Sequence, residues 1–186
     1  MADWGEHPIA QKGYAPHRWG MAKITSLHEV FVDQIKDLYS AETQIIKALP
    51  KLAKAATSPE LKKGFLDHLE QTKEHAARLE TIGEELDFKP TGKKCLATAG
   101  LVAEGAEAVE EDATPETKDI MLMAAAQRVE HYEMAGYTCV CALAKALDYN
   151  DALKALSITL SEETATDKKL IALSTSAIEK ANAVEA

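Results

Sequence analysis

The sequence predicts an all-α fold, an antiparallel four-helix bundle with one long crossover that carries a short extra helix. Ala, Leu, Glu and Lys dominate a chain of 186 residues of which 46% are hydrophobic and 5% aromatic, a composition typical of helices. Four long segments carry apolar residues at spacings of three and four, and no segment alternates with a period of two for long. The stretch 87–114 separates two pairs of these segments, which indicates a bundle with one long connection.

The first pair of helices is marked by clear start and stop signals. The first helix is predicted from about Ser26 to Ala55, with Pro50 expected to end or kink it. The second begins at Thr57-Ser58-Pro59-Glu60, a capping residue followed by proline in the first turn. The stripes of these two helices are Phe31, Ile35, Leu38, Glu42, Ile45, Leu49, Leu52 and Leu61, Phe65, His68, Thr72, His75, Leu79, Ile82, Leu86.

The crossover and the second pair of helices are predicted from the same kinds of signal. Residues 96–111 form a weaker helical segment, and Thr114-Pro115-Glu116 then begins a helix that reaches about Leu147. The last helix is predicted from about Asp151 to Ile178. The stripes of these two helices are Ile120, Met123, Gln127, Glu130, Met134, Tyr137, Cys141, Ala144 and Leu153, Leu156, Leu160, Glu163, Asp167, Leu170, Ser174.

The chain divides into an arm, a body and a tail. Residues 1–22 mix Gly, Pro, His and Trp without a period and are interpreted as a flexible N-terminal arm, followed by the bundle at 23–180 and a tail at 181–186. The arm lacks the apolar segment of a secretory signal. The odd number of cysteines argues against a disulfide framework, so we expect a cytoplasmic location with thiols that act as small buried hydrophobes.

Composition also excludes some partners. The formal net charge of −9 argues against general nucleic-acid binding. No stretch approaches the length of uninterrupted apolar sequence that spans a membrane, so no membrane partner is expected.

Polar residues interrupt the apolar stripes at similar heights, near the middle of the helices. These residues are Glu42, His75, Glu130, Glu163 and Asp167. Burying several carboxylates together is costly because each loses hydration and they repel one another. Iron and manganese accept carboxylate and imidazole ligands, and ferritin-like bundles place two such ions in a layer of this kind. The sequence therefore predicts two iron ions, with manganese or a mixed pair as alternatives.

Other polar residues near this layer have more than one interpretation. Glu133 lies three residues from Glu130 and can reach the same site. His68 is either a core histidine or a donor to a metal ligand. Tyr39 and Tyr132 lie within one turn of Glu42 and Glu130, where they pack, hydrogen-bond a ligand or carry a radical.

Four segments carry a family resemblance: LYSAETQIIKALPKLAKAATSPELK, HLEQTKEH, AAAQRVEHYEMAGY and EETATDKKL. They resemble the YciE/YciF family of bacterial ferritin-like proteins over about Thr25 to Leu173. The resemblance implies a cytoplasmic, stress-associated four-helix protein that forms a homodimer and contains a di-iron centre with ferroxidase-like activity.

A more distant resemblance concerns rubrerythrins. Glu130-x-x-Glu133 and Glu163-x-x-x-Asp167 look like the ligand patterns of their third and fourth helices, with Asp167 where those proteins have histidine. On the second helix, Gln71 stands where a ligand glutamate is expected, with His75 a turn later. The chain has no Cys-x-x-Cys pair, so electrons for a catalytic cycle would come from an external donor.

Two functions follow as hypotheses. The first is a ferroxidase or a peroxide- or O₂-reacting oxidoreductase of the stress response, with Glu42, Glu130 and Glu163 as ligands and the remaining polar residues completing the site. The alternative is a non-enzymatic helical stress or assembly protein with a structural or vestigial metal site. Gln71 and Asp167 are the residues that favour this alternative.

Overall fold

The structure is a computed structural model that describes residues 24–185 of the chain. This range contains five helices. They are α1 (Leu27–Ala55), α2 (Pro59–Glu85), α3 (Leu96–Glu110), α4 (Pro115–Ala146) and α5 (Asn150–Glu185). No strand occurs in this range. The predicted all-α bundle is therefore confirmed, whereas the N-terminal arm at 1–22 lies outside the described residues.

The arrangement of the helices follows from their connections. Short loops join α1 to α2 and α4 to α5, and each of these pairs packs side by side along its length. The two pairs meet through α1 with α4 and α2 with α5, while α3, carried by the long crossover, lies against α1 and α4. This is the predicted four-helix bundle with an extra helix in the crossover.

Side-chain caps explain where three helices begin. Ser26 accepts a hydrogen bond from the backbone N–H of Glu29, whose carboxylate accepts one in return from the N–H of Ser26. At α2 and α4 the side chains of Ser58 and Thr114 accept from the backbone N–H of Leu61 and Thr117, without a reciprocal bond, and each cap is followed by proline in the first turn. The start signals predicted at Ser58 and Thr114 are confirmed.

Asp119 ties the start of α2 to the first turns of α4. Its Oδ1 accepts from the backbone N–H of Thr57 at 2.7 Å, and its Oδ2 accepts from the N–H of Ser58 at 2.7 Å and the hydroxyl of Thr57 at 2.9 Å. The carboxylate is buried, so these bonds replace its hydration. Sequence reasoning did not single out this residue.

The predicted end of the first helix at Ala55 is confirmed, whereas the predicted end of the last helix at Ile178 was wrong. Pro50 does not end the first helix, because it is exposed while its neighbours Leu49 and Ala53 are buried in the core. Packing of this last turn offsets the one backbone hydrogen bond that proline removes. The last helix continues past Ile178 to Glu185, since no proline or glycine interrupts it.

The cysteines also differ from expectation. Cys95 is buried, but Cys141 is only half-buried and Cys139 is exposed. The prediction that all three are buried hydrophobes was therefore wrong for Cys139, which lies on the outward face of α4.

The core consists of two apolar halves on either side of a polar layer. One half contains Phe31, Ile35, Leu38, Leu79, Ile82, Tyr137, Val140 and Leu156. The other contains Ile45, Leu49, Leu61, Phe65, Leu122, Met123 and Leu170. Along each of the four long helices, buried polar residues occupy the positions between these two sets. The apolar halves therefore enclose the layer that the sequence predicts.

Candidate metal centre

Six buried carboxylate and imidazole side chains meet between the two apolar halves, and each is no more than 4% exposed. They are Glu42 from α1, His68 and His75 from α2, Glu130 and Glu133 from α4, and Glu163 from α5. Helix geometry explains their convergence. His68 and His75 are two turns apart and Glu130 and Glu133 one turn apart, so each pair faces the same side of its helix.

The six residues form two groups that overlap at one carboxylate. The first group is His68, Glu130, Glu133 and Glu163, and the second is Glu42, His75 and Glu163. Within each group the ligand atoms lie within 4.8 Å of one another. A carboxylate shared between two groups is the arrangement expected for a pair of metal ions joined by a bridging ligand.

The ligand atoms form close imidazole–carboxylate pairs but few hydrogen bonds. His68 Nε2 lies 3.2 Å from Glu130 Oε1, and His75 Nδ1 lies 2.9 Å from Glu163 Oε1 and 3.6 Å from Glu42 Oε1. Even so, nine buried nitrogen and oxygen atoms of these six side chains have no hydrogen-bond partner. Within the described residues, every buried side-chain atom without a partner belongs to this layer. Because buried polar atoms are normally satisfied, the layer suggests a missing ligand such as a cation.

Groups outside the layer orient the second group. Glu162 accepts a hydrogen bond from His75 Nε2 at 3.0 Å and pairs with Arg78, whose Nη2 lies 3.2 Å from Glu162 Oε1. When His75 is neutral, as a metal ligand is, this contact holds its one proton on Nε2 and leaves Nδ1 to face Glu42 and Glu163. On the other side, the buried hydroxyl of Tyr137 donates to Oε1 of Glu42.

Electrostatics show that the metal-free layer takes up protons. Burial raises the pKa of Glu42 and Glu133 and raises that of Glu130 to about 7. Burial opposes the charge of His68 and His75, but the adjacent Glu130 and Glu163 raise their pKa values to about 9 and about 10. A metal ion that binds here therefore has to displace protons from the imidazoles and from the carboxylates.

Glu163 differs from the other three carboxylates of the layer. Burial favours its neutral form, yet the close approach of His75 and the charges of both imidazoles lower its pKa below the usual value. Glu163 is therefore the carboxylate best prepared to remain ionised, which suits its position between the two groups.

Asp167, which the sequence predicts as a ligand, lies outside both groups. Its Oδ1 is 3.4 Å from the amide nitrogen of Gln127 and 3.3 Å from His131 Nε2. His131 itself is largely exposed. Asp167 is buried near the edge of α5, where these two partners satisfy it.

Tyr39 and Tyr132, which the sequence places near Glu42 and Glu130, form hydrogen bonds with residues outside the layer. Tyr39 donates to the exposed Glu80 and thus points away from Glu42. Tyr132 donates to Asp37 at 2.6 Å, and its oxygen lies 2.9 Å from the thiol of Cys95. Tyr132 thereby connects α4 to α1 and to the start of α3.

On α2 the residue that enters the layer is His68 rather than Gln71. Gln71 is half-buried and lies outside both groups, whereas His68 joins Glu130. The spacing of His68 and His75 along one stripe was a signal for this arrangement. Tyr137 gave no such signal, because a tyrosine in an apolar stripe is ordinarily a packing residue.

Fold and site together define a ferritin-like four-helix protein with a candidate two-metal centre. The chain belongs to the family described as Domain of unknown function (DUF892), whose model matches residues 26–183. This result confirms the family resemblance noted from the sequence. Among the residues that the structure describes, no helix combines the length and apolar character needed to cross a membrane.

Similar proteins support the assignment to this family. Protein YciF of Escherichia coli (strain K12) is 41% identical over 158 residues, which cover 84% of this chain and 95% of YciF. The crystal structure of the E. coli stress protein YciF superposes with a TM-score of 0.82 at 40% identity, covering 84% of this chain and 99% of that one. YcfI from Rhodopseudomonas palustris, for which a structural role has been suggested, has a TM-score of 0.77 at 38% identity over 80% of this chain and 94% of its own.

Proposed function

We propose that this chain holds two iron ions in the six-residue layer and oxidises Fe(II) with O₂ or peroxide. The observation that carries the proposal is the set of nine buried polar atoms without hydrogen-bond partners, all on four carboxylates and two imidazoles. These donors match the preferences of iron and manganese. Four ionised carboxylates would also balance the charge of two divalent cations.

The residues have distinct parts in this proposal. His68 and Glu130 would hold one ion, Glu42 and His75 the other, and Glu163 would be shared between them. Glu133 belongs to the first group and is directed at the same space. When bound, two Fe(II) ions supply one electron each, and these reduce peroxide with two protons to two waters.

The surroundings of the layer support redox chemistry at this site. The two apolar halves of the core cover the layer at both ends along the bundle and the six side chains are buried, so the charges of the ligands act in a medium of low polarity. Glu162 keeps the proton of His75 on Nε2, and Tyr137 keeps one oxygen of Glu42 in place. Re-reduction requires an external electron donor, which is part of the proposal.

Anaerobic titration with Fe(II), followed by addition of O₂ or peroxide, tests this function. We expect two iron ions per chain and an absorbance band of a di-ferric centre that develops faster than oxidation in buffer. Fewer than one iron per chain, with no oxidation above buffer, would contradict the proposal. Elemental analysis of protein purified without added metal, together with a measurement of peroxide turnover, distinguishes a manganese centre from an iron centre.

A similar protein and the state of the cysteines support a proposal for the biological role and location of this chain. The E. coli relative is a stress protein, and we propose a stress-related role for this chain. The described cysteines form no disulfide, which suits a cytoplasmic location.

A non-enzymatic function is the second candidate. The observation that favours it is the structural role suggested for the relative from R. palustris. In that case the layer holds metal only to stabilise the bundle, so that chelation lowers the melting temperature while no oxidation follows the addition of Fe(II) and oxidant.

A further inference from the structure

Two clefts lead from the surface to the same edge of the polar layer. The first lies between α1, α3 and α4, and the second lies mainly between α2, α4 and α5. Both are lined by Leu49, His68, Ala126 and Glu130, whereas Glu42 and His75 line neither. The His68–Glu130 edge is therefore the part of the layer that a molecule entering by either cleft would reach.

The first cleft, which we call the α3 cleft, has apolar walls and a polar inner end. Its apolar lining comes from α1, α3 and α4 and includes Ile45, Leu52, Leu101, Val102, Val109 and Val129. Its volume is about 190 Å³. For comparison, a dry apolar cavity of about 150 Å³ binds benzene. The α3 cleft is thus large enough for a ring system.

Gly105 keeps the α3 cleft open. It is buried on the inner face of α3, and a Cβ at this position would meet only Ala125 Cβ and Leu52 Cδ2, both at 4.0 Å. A larger side chain would project into the space between α1 and α4. The crossover helix therefore covers the cleft without filling it.

We propose that the α3 cleft binds a small, mainly apolar organic molecule of one or two rings, seated against His68 and Glu130. The walls offer such a molecule apolar contact, and polar atoms lie at the inner end and at the mouth, which is a usual composition of a ligand pocket. Gln44, Lys47, Lys51 and Glu110 also line the cleft, and the last three are exposed, which places them at its mouth. The second cleft is less suited because it is wider, at about 430 Å³.

The proposal goes beyond the proposed function, because it adds a binding site for an organic molecule beside the candidate metal centre. Binding itself requires no metal. The α3 cleft ends at the His68–Glu130 edge of the layer, so its occupant would lie next to that centre.

Titration of the metal-free full-length chain with indole, followed by amide chemical shifts, tests the proposal. We expect saturable binding of one indole per chain, with the largest shifts at residues of the α3 cleft such as Val102, Gly105 and Val129. Gly105→Leu should fill the cleft and weaken indole binding at least tenfold. Gly100→Leu is the matched control, because it adds the same side chain to the same helix at a position with nothing within 4 Å, and it should change the affinity less than twofold.

Several results would overturn the proposal. These are binding that does not saturate, shifts centred on second-cleft residues such as Gly64 and Ala172, or equal losses in the two leucine variants. The shift map of the unsubstituted protein decides the location even if Gly105→Leu does not fold. Fe(II) titration of each sample separates the two proposals, because iron binding without indole binding rejects only the α3 cleft and the reverse rejects only the metal centre.

Discussion

Glu133 has the least favourable surroundings of any side chain in the layer when metal is absent. It is fully buried, neither carboxylate oxygen has a hydrogen-bond partner, and burial together with Glu42 and Glu163 raises its pKa well above the usual value. A stability argument alone gives no reason for a glutamate here, because leucine would fill the same space without a desolvation penalty. A metal ion does supply a reason.

Glu133→Leu should therefore stabilise the metal-free protein while it weakens metal binding. We expect the free energy of unfolding in urea with chelator to rise by about 1–4 kcal/mol, as when buried charged groups are replaced by apolar ones. Iron bound per chain, measured by elemental analysis, should fall below two. Glu84→Leu, at an exposed position on α2, is the control and should change neither quantity. Lower stability combined with full iron binding in Glu133→Leu would reject this role.

Glu162 acts on the layer through His75. Glu162→Ala removes the acceptor for His75 Nε2 and should weaken binding of the second ion by about 10- to 100-fold, the usual effect of losing such an orienting contact. Metal competition with a coloured chelator measures the affinity. Glu74→Ala is the matched control, because Glu74 also contacts Arg78, at 3.5 Å, but has no contact with His75. Equal affinities for the two variants would show that the Glu162–His75 contact has no effect on metal binding.

At the scale of elements, the two hairpins are joined by specific polar contacts as well as by apolar packing. Asp119 on α4 accepts three hydrogen bonds from Thr57 and Ser58 at the start of α2. Asp119→Ala leaves two backbone N–H groups without this acceptor, and we expect a loss of about 2–4 kcal/mol in the free energy of unfolding. Urea denaturation measures the loss.

Asp112→Ala is the control for this substitution, because Asp112 is an exposed carboxylate just beyond α3. It should leave stability nearly unchanged. Both variants should bind iron like the unsubstituted chain, since Asp119 is not part of the layer. A loss below about 0.5 kcal/mol for Asp119→Ala, the range of ordinary surface substitutions, would show that this clamp contributes little.

Element positions were largely predictable because their signals are local. The caps at Ser26, Ser58 and Thr114 depend on side chains within three residues, so the sequence carries them directly. The persistence of α1 through Pro50 has a tertiary cause, and the error after Ile178 reflects helix propensity. Packing of Leu49 and Ala53 carries α1 past proline, and the helix-forming residues after Ile178 continue α5 beyond its apolar stripe.

The whole molecule should respond to pH through its polar layer. The pKa values of Glu130, His68 and His75 rise to about 7, 9 and 10 in the folded metal-free protein. A raised pKa means that the folded state binds the proton more tightly, so its stabilising effect is complete below the unfolded pKa and is lost as pH rises through the folded value. For Glu130 this loss extends from about pH 4.5 to about pH 7, and for the histidines from about pH 6.5 to about pH 10.

We therefore expect the melting temperature of the metal-free protein to fall as pH rises from about 6 to about 8.5, where the histidines begin to lose protons. Metal binding displaces these protons, so the manganese-loaded protein should show a smaller fall or a rise. Calorimetry with chelator and with manganese at each pH makes the comparison. Exposed groups titrate in both samples and cancel. Parallel curves for the two samples would contradict the assignment of the layer as a metal site.

The homodimer expected from the family stays a prediction. Exposed apolar side chains on α5, including Ile158, Ile171 and Ile178, are available for a partner. Sedimentation equilibrium of the full-length chain measures the oligomeric state.

The sequence by itself determined the helices, their order and the height of the polar layer. A period near 3.6 aligns Glu42, Glu130 and Glu163 with the apolar stripes of their helices, and this alignment requires no knowledge of the partner helices. Only the tertiary structure decided which polar residues meet. His68 enters a group where Gln71 does not, Asp167 contacts Gln127 and His131, and Tyr137 reaches Glu42. The reason is that neighbouring positions on a helix differ by about 100° in direction, so packing of the whole bundle, which sets the rotation of each helix about its axis, selects the side chains that face the centre.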